Sequence, residues 1–375
     1  MILSIHRPDI SRRTCRIIVA AAKIGGMARA KRTIGIGFPV VHSVEGGAEM
    51  HISCLDAALQ ERGFEVSRID IPFNFSPPRQ LIRDCLAWRL LDLTKDYLRP
   101  IDLLIATKFP SYVAQHPNKV VYLLHQHREI YELWGTRFSQ LKSSEEDQGI
   151  RDAIVAIDNR ALREAKAVFA NSKRVAERLK RYNGIESKAL YAPPRLKNVF
   201  RCDGYEPFLF CPGRLELNKR VDLVLDALAK TDSMVKCIIA GRGPQQSALK
   251  KQAKKLKLGE RVEFAGWVDE KTLLDLYARC LGVLFAPKDE DLGFITLEAF
   301  LSKKAVITTD SSGAVLEFVD DGVTGYVAAT EPQAFAERID MLVGQPKLAK
   351  RMGEAGYEIA RRLNWDYIVE HLTSC

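Results

Sequence analysis

The chain has 375 residues, 47% apolar and 27% charged, a composition that excludes long disorder and is long enough for two domains with separate cores. Its net charge of +9 is concentrated at one end: residues 1–32 hold Arg7, Arg12, Arg13, Arg16, Lys23, Arg29, Lys31 and Arg32 against Asp9, a net of +7. The body is therefore almost neutral, which argues against a nucleic-acid-binding face, and no apolar run reaches the ~20 residues of a membrane-spanning helix.

The segment 1–32 is read as a basic extension. Its apolar middle, Ile17–Ala22, sits between arginines and superficially resembles a signal or transit peptide. Three readings stay open: an arm that lies on a membrane surface, sequence upstream of a natural start at Met27, and a cleaved presequence. The eight cysteines (Cys15, Cys54, Cys85, Cys202, Cys211, Cys237, Cys280, Cys375) form no C-x-x-C pair and no zinc spacing. Reduced thiols in a cytoplasmic protein are expected.

From Thr33 the pattern alternates strand and helix, the mark of parallel α/β architecture. Strands are expected at Thr33–Val40, Glu65–Ile69, Leu103–Ala106, Val120–Leu124, Ala167–Ala170 and Ala189–Tyr191, with a helix at Glu49–Arg62. Pro193–Pro194 and the polar run to Pro207 interrupt the rhythm, since proline continues neither ladder nor helix. It restarts with strands Phe208–Cys211, Val235–Ala240, Val262–Ala265, Gly282–Ala286 and Ala305–Thr309. Between them fall helices Val221–Lys230, Gln246–Leu256, Glu270–Ala278 and Phe294–Leu301, and Leu348–Thr373 closes the chain as one or two helices. The divisions that follow are 1–32 for the extension, 33–195 and 207–357 for two Rossmann-like domains, 196–206 for the linker and 358–375 for a terminal helix that crosses back.

The strongest chemical signal is Glu290-Asp-Leu-Gly-Phe-Ile-Thr-Leu-Glu298, two carboxylates around a glycine at the start of a helix. Free first-turn amides suit a phosphate or sugar oxygen, and Glu298 can accept hydrogen bonds from the vicinal hydroxyls of a ribose. An acidic, solvated helix start reads the same way in isolation. In Gly213-Arg-Leu-Glu-Leu-Asn-Lys219-Arg220 the cations Arg214 and Lys219 follow a strand and suit a leaving diphosphate, on which charge accumulates. Gly241-Arg-Gly243-Pro244 ends a strand with a turn against which a flat ring could lie, although it lacks the third glycine of a dinucleotide site.

In order, GRLELNKR, AGRGP, VEFAGWV, EDLGFITLEAF and VITTDSSGAVLEFV resemble the donor-binding half of the family-four retaining glycosyltransferases. The resemblance covers about residues 33–375 and is specific from Phe208 to Gly325. It implies the GT-B fold: two Rossmann-like domains facing across a cleft, with the C-terminal helix packed back on the first. It implies that Arg214 and Lys219 bind a donor diphosphate, that Glu298 binds the ribose, and that the loop of Glu290, Asp291, Leu292, Gly293 and Phe294 holds the transferred sugar and phosphate. Gly241, Gly243 and Val268 would flank the base. In the first domain Glu45-Gly46-Gly47-Ala48-Glu49 looks like the loop facing the donor phosphates, and His125 would hydrogen-bond the donor sugar, with His127 as the alternative. Lys108 and Arg128 would add positive field near the acceptor.

The catalytic set is therefore expected to be His125, Glu290, Arg214 and Lys219, with Glu290 orienting the sugar or stabilising positive charge. Asp289-Glu290-Asp291 has the D-x-D spacing of a metal site, yet the expectation is no cofactor and no metal, because the cations and amides can neutralise the phosphates. The implied partners are a nucleoside diphosphate-sugar, GDP-mannose or a UDP-sugar, and a glycan or lipid-linked acceptor of bacterial surface polysaccharide. The implied place is the cytoplasm, with peripheral contact at the inner membrane face. Rival readings are a partner subunit that keeps the fold without the chemistry, and a sugar-nucleotide epimerase or phosphorylase of the same fold.

Overall fold

A computed structural model describes residues 31–41, 46–74, 76–136, 138–142 and 144–375. Residues 1–30 of the basic extension, with Met27 and Cys15, and Glu45 of the glycine-rich loop lie outside the described residues.

The first unit runs β1 (Thr33–Val40), α1 (Gly47–Glu61), β2 (Glu65–Pro72), α2 (Gln80–Leu90), a short hairpin of β3 (Lys95–Asp96) and β4 (Arg99–Pro100), β5 (Leu103–Lys108), β6 (Lys119–His125), α3 (Glu145–Arg163), β7 (Ala167–Ala170), α4 (Lys173–Asn183) and β8 (Lys188–Ala189). Its sheet is parallel in the order β2-β1-β5-β6-β7-β8. Strands covered on both faces read as continuous apolar runs. Accordingly β5 is buried along its whole length and β1 up to its last residue.

The second unit repeats the plan: β9 (Phe208–Pro212), α5 (Val221–Leu228), β10 (Lys236–Ala240), α6 (Gln246–Lys255), β11 (Val262–Gly266), α7 (Glu270–Arg279), β12 (Gly282–Leu284), α8 (Phe294–Leu301), β13 (Ala305–Thr309), β14 (Gly325–Ala328), α9 (Pro332–Gly344), α10 (Pro346–Ala360) and α11 (Trp365–Thr373). The order is β11-β10-β9-β12-β13-β14, again parallel. The hairpin β3–β4, strand β14 and helix α9 are absent from the sequence reading. The first two are short, and α9 opens on Pro332, where proline is tolerated because a first-turn amide has no intrahelical partner.

Two apolar layers cover each sheet. The layer over one face of the first sheet includes Leu55 and Leu59 of α1 together with Ile368, Val369 and Leu372 of α11. The last helix thus crosses back to the first unit, and each of its three buried aliphatic side chains contributes roughly 1.5–3 kcal/mol. Arg62 donates to Asp366 at 3.0 Å and Arg32 donates to the Thr373 carbonyl at 2.6 Å on the same seam. Phe294 packs against an apolar layer of each unit. This is the GT-B arrangement.

Candidate functional site

The chain reverses direction across each sheet once: β1 neighbours β2 on one side and β5 on the other, and β9 neighbours β10 and β12. Loops part at such switch points and leave a crevice beyond the strand ends. A cavity of about 470 Å³ fills it, walled by Gly46 and Gly47 after β1, His125 at the end of β6, Arg214 and Lys219 after β9, Glu290–Phe294 after β12, and Glu298. A wider groove of about 640 Å³ lies beside Arg89, Lys119 and Glu164. Its charges are already engaged: Arg89 donates to Glu164 at 2.8 Å, and Lys119 lies 3.6 Å from Glu164 and donates to the carbonyls of Tyr112, Ala114 and Ala161.

The charges in and beside the cavity come in linked pairs. Lys219 Nζ lies 2.6 Å from Glu290 Oε2. Arg214, from the second unit, lies against Gly46 of the first, its Cζ 3.5 Å from where a Gly46 Cβ would stand, and it pairs with Glu216 at 3.0 Å. Glu49 accepts the Gly46 N–H at 2.9 Å and pairs with Lys108 at 3.4 Å. Burial lowers the Lys108 pKa, opposed by Glu49 and aided by Arg214. Helices α1 and α8 both begin in the wall, at Gly47 and Phe294, and their first-turn amides have no intrahelical partner.

Glu298 is half-buried, and the Tyr277 hydroxyl donates to its Oε2 at 2.7 Å. Among the described residues no protein donor faces the other oxygen, Oε1, which suits a ligand hydroxyl. Burial raises the Glu298 pKa, with Tyr277 and Arg195 opposing. His125 donates from Nδ1 to the Gln126 carbonyl at 2.9 Å, which leaves Nε2 as an acceptor. Its pKa is lowered, chiefly by burial and against the pull of Asp291, so the ring is neutral at neutral pH.

Several expected residues are engaged by other groups or lie outside the wall. Asp291 is in the wall, but its carboxylate is paired with Arg178 and lies 3.8 Å from Arg128, so it is engaged by the first unit. Gly241 and Gly243 are not in the wall. They permit close approach of two loops: a Cβ at Gly241 would meet the Gly213 carbonyl at 1.9 Å, and one at Gly243 the Leu215 carbonyl at 2.4 Å. Val268 packs on an apolar layer of the second unit. His127 is buried edge-on to Phe109 at 5.3 Å and outside the cavity wall, which leaves His125 as the histidine of that pair in the wall. Lys108 is likewise outside the wall and stands over the Phe38 ring at 4.2 Å. Arg128 lines the wall and is bound to Glu132 at 2.6 Å.

Sequence reading gave no role to Arg195, Asn171, Asn218 and His51, all in the wall. His51 is buried against Tyr122, Phe294 and Trp365. Arg220 was visible in its motif but not its work: it is left-handed, at φ 50°, and donates to the carbonyls of Ala286 and Pro287, to Thr309 and to Ser311. It ties the loop after β12 to the loop after β13. Among the described residues no three His, Cys, Asp or Glu side chains are grouped to hold a metal, and no helix is long and apolar enough to cross a membrane.

Fold and crevice define a two-unit protein with a polar site between its sheets, and comparison with known proteins narrows the class. Residues 194–359 match the family described as Glycosyl transferases group 1. The human α-1,3/1,6-mannosyltransferase ALG2 is 30% identical over 169 residues, 41% of this chain and 40% of the relative. The lipopolysaccharide core biosynthesis glycosyltransferase LpsE of Rhizobium meliloti is 27% identical over 157 residues, 40% of this chain and 44% of the relative. The chain therefore spans less than half the length of either relative. The solved sucrose-phosphate synthase of Thermosynechococcus elongatus superposes with a TM-score of 0.74 at 17% identity, over 92% of this chain and 98% of that one, which shows a shared fold.

Proposed function

We propose that this chain is a retaining glycosyltransferase that moves a hexose, mannose being the first candidate, from a nucleoside diphosphate-sugar to a glycan or lipid-linked acceptor. The observation that carries the reading is convergence in one cavity: a carboxylate with a free oxygen at Glu298, the cations Arg214 and Lys219, two helix N-termini, and the neutral His125. Ribose hydroxyls would donate to Glu298. The diphosphate would lie between Lys219, Arg214 and the amides that open α8, and His125 would accept a hydroxyl of the sugar.

In the transfer, the bond from the sugar C1 to the β-phosphate oxygen breaks with its electron pair going to the diphosphate. The acceptor oxygen bonds C1 on the same face, and its proton passes to a phosphate oxygen. Lys219 and Arg214 offset the charge that builds on the leaving group, the kind of preorganised electrostatics worth about 3–4 kcal/mol per group in such sites. Glu290, beside Lys219, orients the sugar or steadies positive charge at C1. The reading needs no metal ion, because Asp289 and Asp291 are engaged by arginines and the cations supply the neutralising charge. The names of ALG2 and LpsE favour mannose and surface polysaccharide respectively. A lipid-linked acceptor places the protein at the cytoplasmic face of the membrane, where residues 1–32, with net charge +7, add attraction to anionic lipid.

The test is a thermal-shift series with GDP, UDP, ADP and their sugar conjugates, in EDTA and then in magnesium. A ligand bound by the native state alone raises the melting temperature. Selective stabilisation by one nucleoside diphosphate in EDTA supports the reading and names the base. No shift with any of them overturns it.

A further inference from the structure

The loop that carries Glu290 belongs to the second unit, yet the first unit holds it on both sides of that residue. Arg174 Nε lies 2.6 Å from Asp289 Oδ1 and Arg178 Nη2 lies 3.2 Å from the same atom. Arg178 Nη1 pairs with Asp291 Oδ1. Arg178 and Arg128 also both donate to the Asp289 main-chain carbonyl, at 2.9 and 2.8 Å. Glu132 sits behind them, 2.6 Å from Arg128 and 3.3 Å from Arg178. Arg178 is 5% exposed, so this is a desolvated cluster that salt screens weakly.

A second contact holds the helix that carries Arg174 and Arg178, α4, at its start. Glu317 of the second unit accepts the main-chain N–H of Lys173 at 3.0 Å and of Arg174 at 2.7 Å, at the N-terminus of α4, and it accepts the Tyr191 hydroxyl as well. Helix α4 therefore takes a carboxylate from the second unit at its start and, through Arg174 and Arg178, grips two more.

The loop needs such a grip. Asp289 is left-handed, at φ 52°, which is unfavourable for a residue with a Cβ. From its own unit the loop is held by main-chain bonds, Asp289 N–H to the Ser311 carbonyl at 2.8 Å, Glu290 N–H to the Ser312 carbonyl at 3.2 Å, and Ala314 N–H to the Glu290 carbonyl at 2.9 Å. The arginines take both carboxylates that flank Glu290 and the carbonyl just before it.

We infer that Arg178, with Arg174 and Arg128, is a positioning residue for the transfer: closing the two units through these arginines sets the Glu290 loop, so the Glu290 carboxylate reaches its working place only in the closed arrangement. The inference rests on the transferase reading for its chemistry and on the ion cluster alone for its geometry. Nucleoside diphosphate would be bound by Lys219, Arg214, Glu298 and the amides that open α8, all of the second unit. Loosening the cluster therefore separates binding from turnover.

The experiment compares wild type with Arg178→Gln, Arg178→Lys and the milder Arg174→Gln, whose side chain is 39% exposed and whose loss leaves less buried charge behind. Three quantities are read: binding of GDP and UDP by calorimetry, release of nucleoside diphosphate from GDP-mannose and UDP-glucose, and the radius of gyration in solution. The expected result for Arg178→Gln is nucleoside diphosphate affinity within about threefold of wild type and a larger radius of gyration. Its kcat should fall on the order of 100-fold at little changed KM, the scale expected of a reacting group misplaced by about 1 Å. Arg174→Gln should show the same split at smaller size, and Arg178→Lys should recover part of the loss because it restores charge without the two-pronged grip. Wild-type kcat in Arg178→Gln, or equal loss of binding and turnover in Arg174→Gln, overturns the inference. If wild type binds no nucleoside diphosphate the transferase reading falls, and the closure is still judged alone: equal radii for wild type and both glutamine variants overturn it.

Discussion

Lys219 and Glu290, from the loops after the neighbouring strands β9 and β12, form an ion pair of 2.6 Å inside the cavity. A diphosphate that takes Lys219 must share it with Glu290 or displace it. Lys219→Met should weaken binding of the best-stabilising nucleoside diphosphate roughly 10- to 100-fold, the worth of one hydrogen bond to a charged group. Glu290→Gln should do the reverse for binding, leaving affinity equal or up to about tenfold tighter, while sugar transfer falls at least 100-fold. Calorimetry and a turnover assay on the two variants check the pair. Loss of binding in Glu290→Gln would mean that Glu290 contacts the nucleotide and not the sugar.

The bond from Tyr277 to Glu298 Oε2 leaves Oε1 for a ribose. Wild type should prefer a ribonucleoside diphosphate over its 2′,3′-dideoxy analogue by roughly tenfold or more, the worth of one or two hydrogen bonds to a charged acceptor. Glu298→Ala should erase that preference, lowering affinity for the ribonucleotide to that of the analogue. Tyr277→Phe should keep the preference and cost about 1 kcal/mol of stability, because one buried hydrogen bond is lost. A competition titration with the two nucleotides reads all three outcomes.

What could be read in the sequence depends on how locally each position is fixed. Arg214, Lys219, Glu290 and Glu298 stand at short offsets from a strand end or a helix start, and a strand in a parallel sheet delivers its C-terminal end to the crevice whatever else the chain does. The strand-helix rhythm itself was legible because both faces of each sheet are covered. The partner of Asp291 was not legible, because Arg178 is 113 residues away in the middle of a helix whose pattern reads as a solvated basic face. Gly241 and Gly243 were legible as a turn, while the Gly213 and Leu215 backbone that demands glycine there comes from another βα loop. His125 closes β6 and His127 stands two residues on, and because strand alternation puts positions two apart on one face, the pattern does not tell them apart before the packing of Phe109 is known.

Gly313 supports the Glu290 loop from below, and substitution there should couple stability to activity. It has φ 65°, and a Cβ would stand 2.5 Å from both the main-chain N and O of Glu290. Gly313→Ala must push that loop, so it should lower stability by more than the ~1–2 kcal/mol of left-handed strain alone and reduce turnover sharply. Gly63, at φ 85°, has nothing within 4 Å of a Cβ. Gly63→Ala should therefore lose only the conformational term and keep wild-type turnover. Melting curves and turnover on both variants check this; equal activity in the two would show that the loop's place does not depend on Gly313.

Stability against pH carries opposing contributions from buried groups. Burial pulls the pKa of His51 down to about 3 and that of His127 down to about 4, each from about 6.5. Between pH 6.5 and 4 both rings are neutral when folded and take up a proton when unfolded. Each therefore removes up to about 1.4 kcal/mol of stability per pH unit as pH falls through that window. Asp158 has the opposite sign. Burial pushes it up to about 7, against the hydrogen bond from the Tyr131 hydroxyl, so between pH 7 and 4 it is protonated when folded and ionised when unfolded. It adds up to about 1.4 kcal/mol per unit as pH falls over the same range, and it cancels about one of the two histidines. Denaturant midpoints at pH 7, 6, 5 and 4.5 should show a modest net loss on acidification for wild type. Asp158→Asn should steepen that loss by removing a compensating group, and His51→Gln should flatten it by removing one of the groups that cause it. Parallel pH profiles for wild type and Asp158→Asn would mean that Asp158 is already ionised in the folded chain at pH 5.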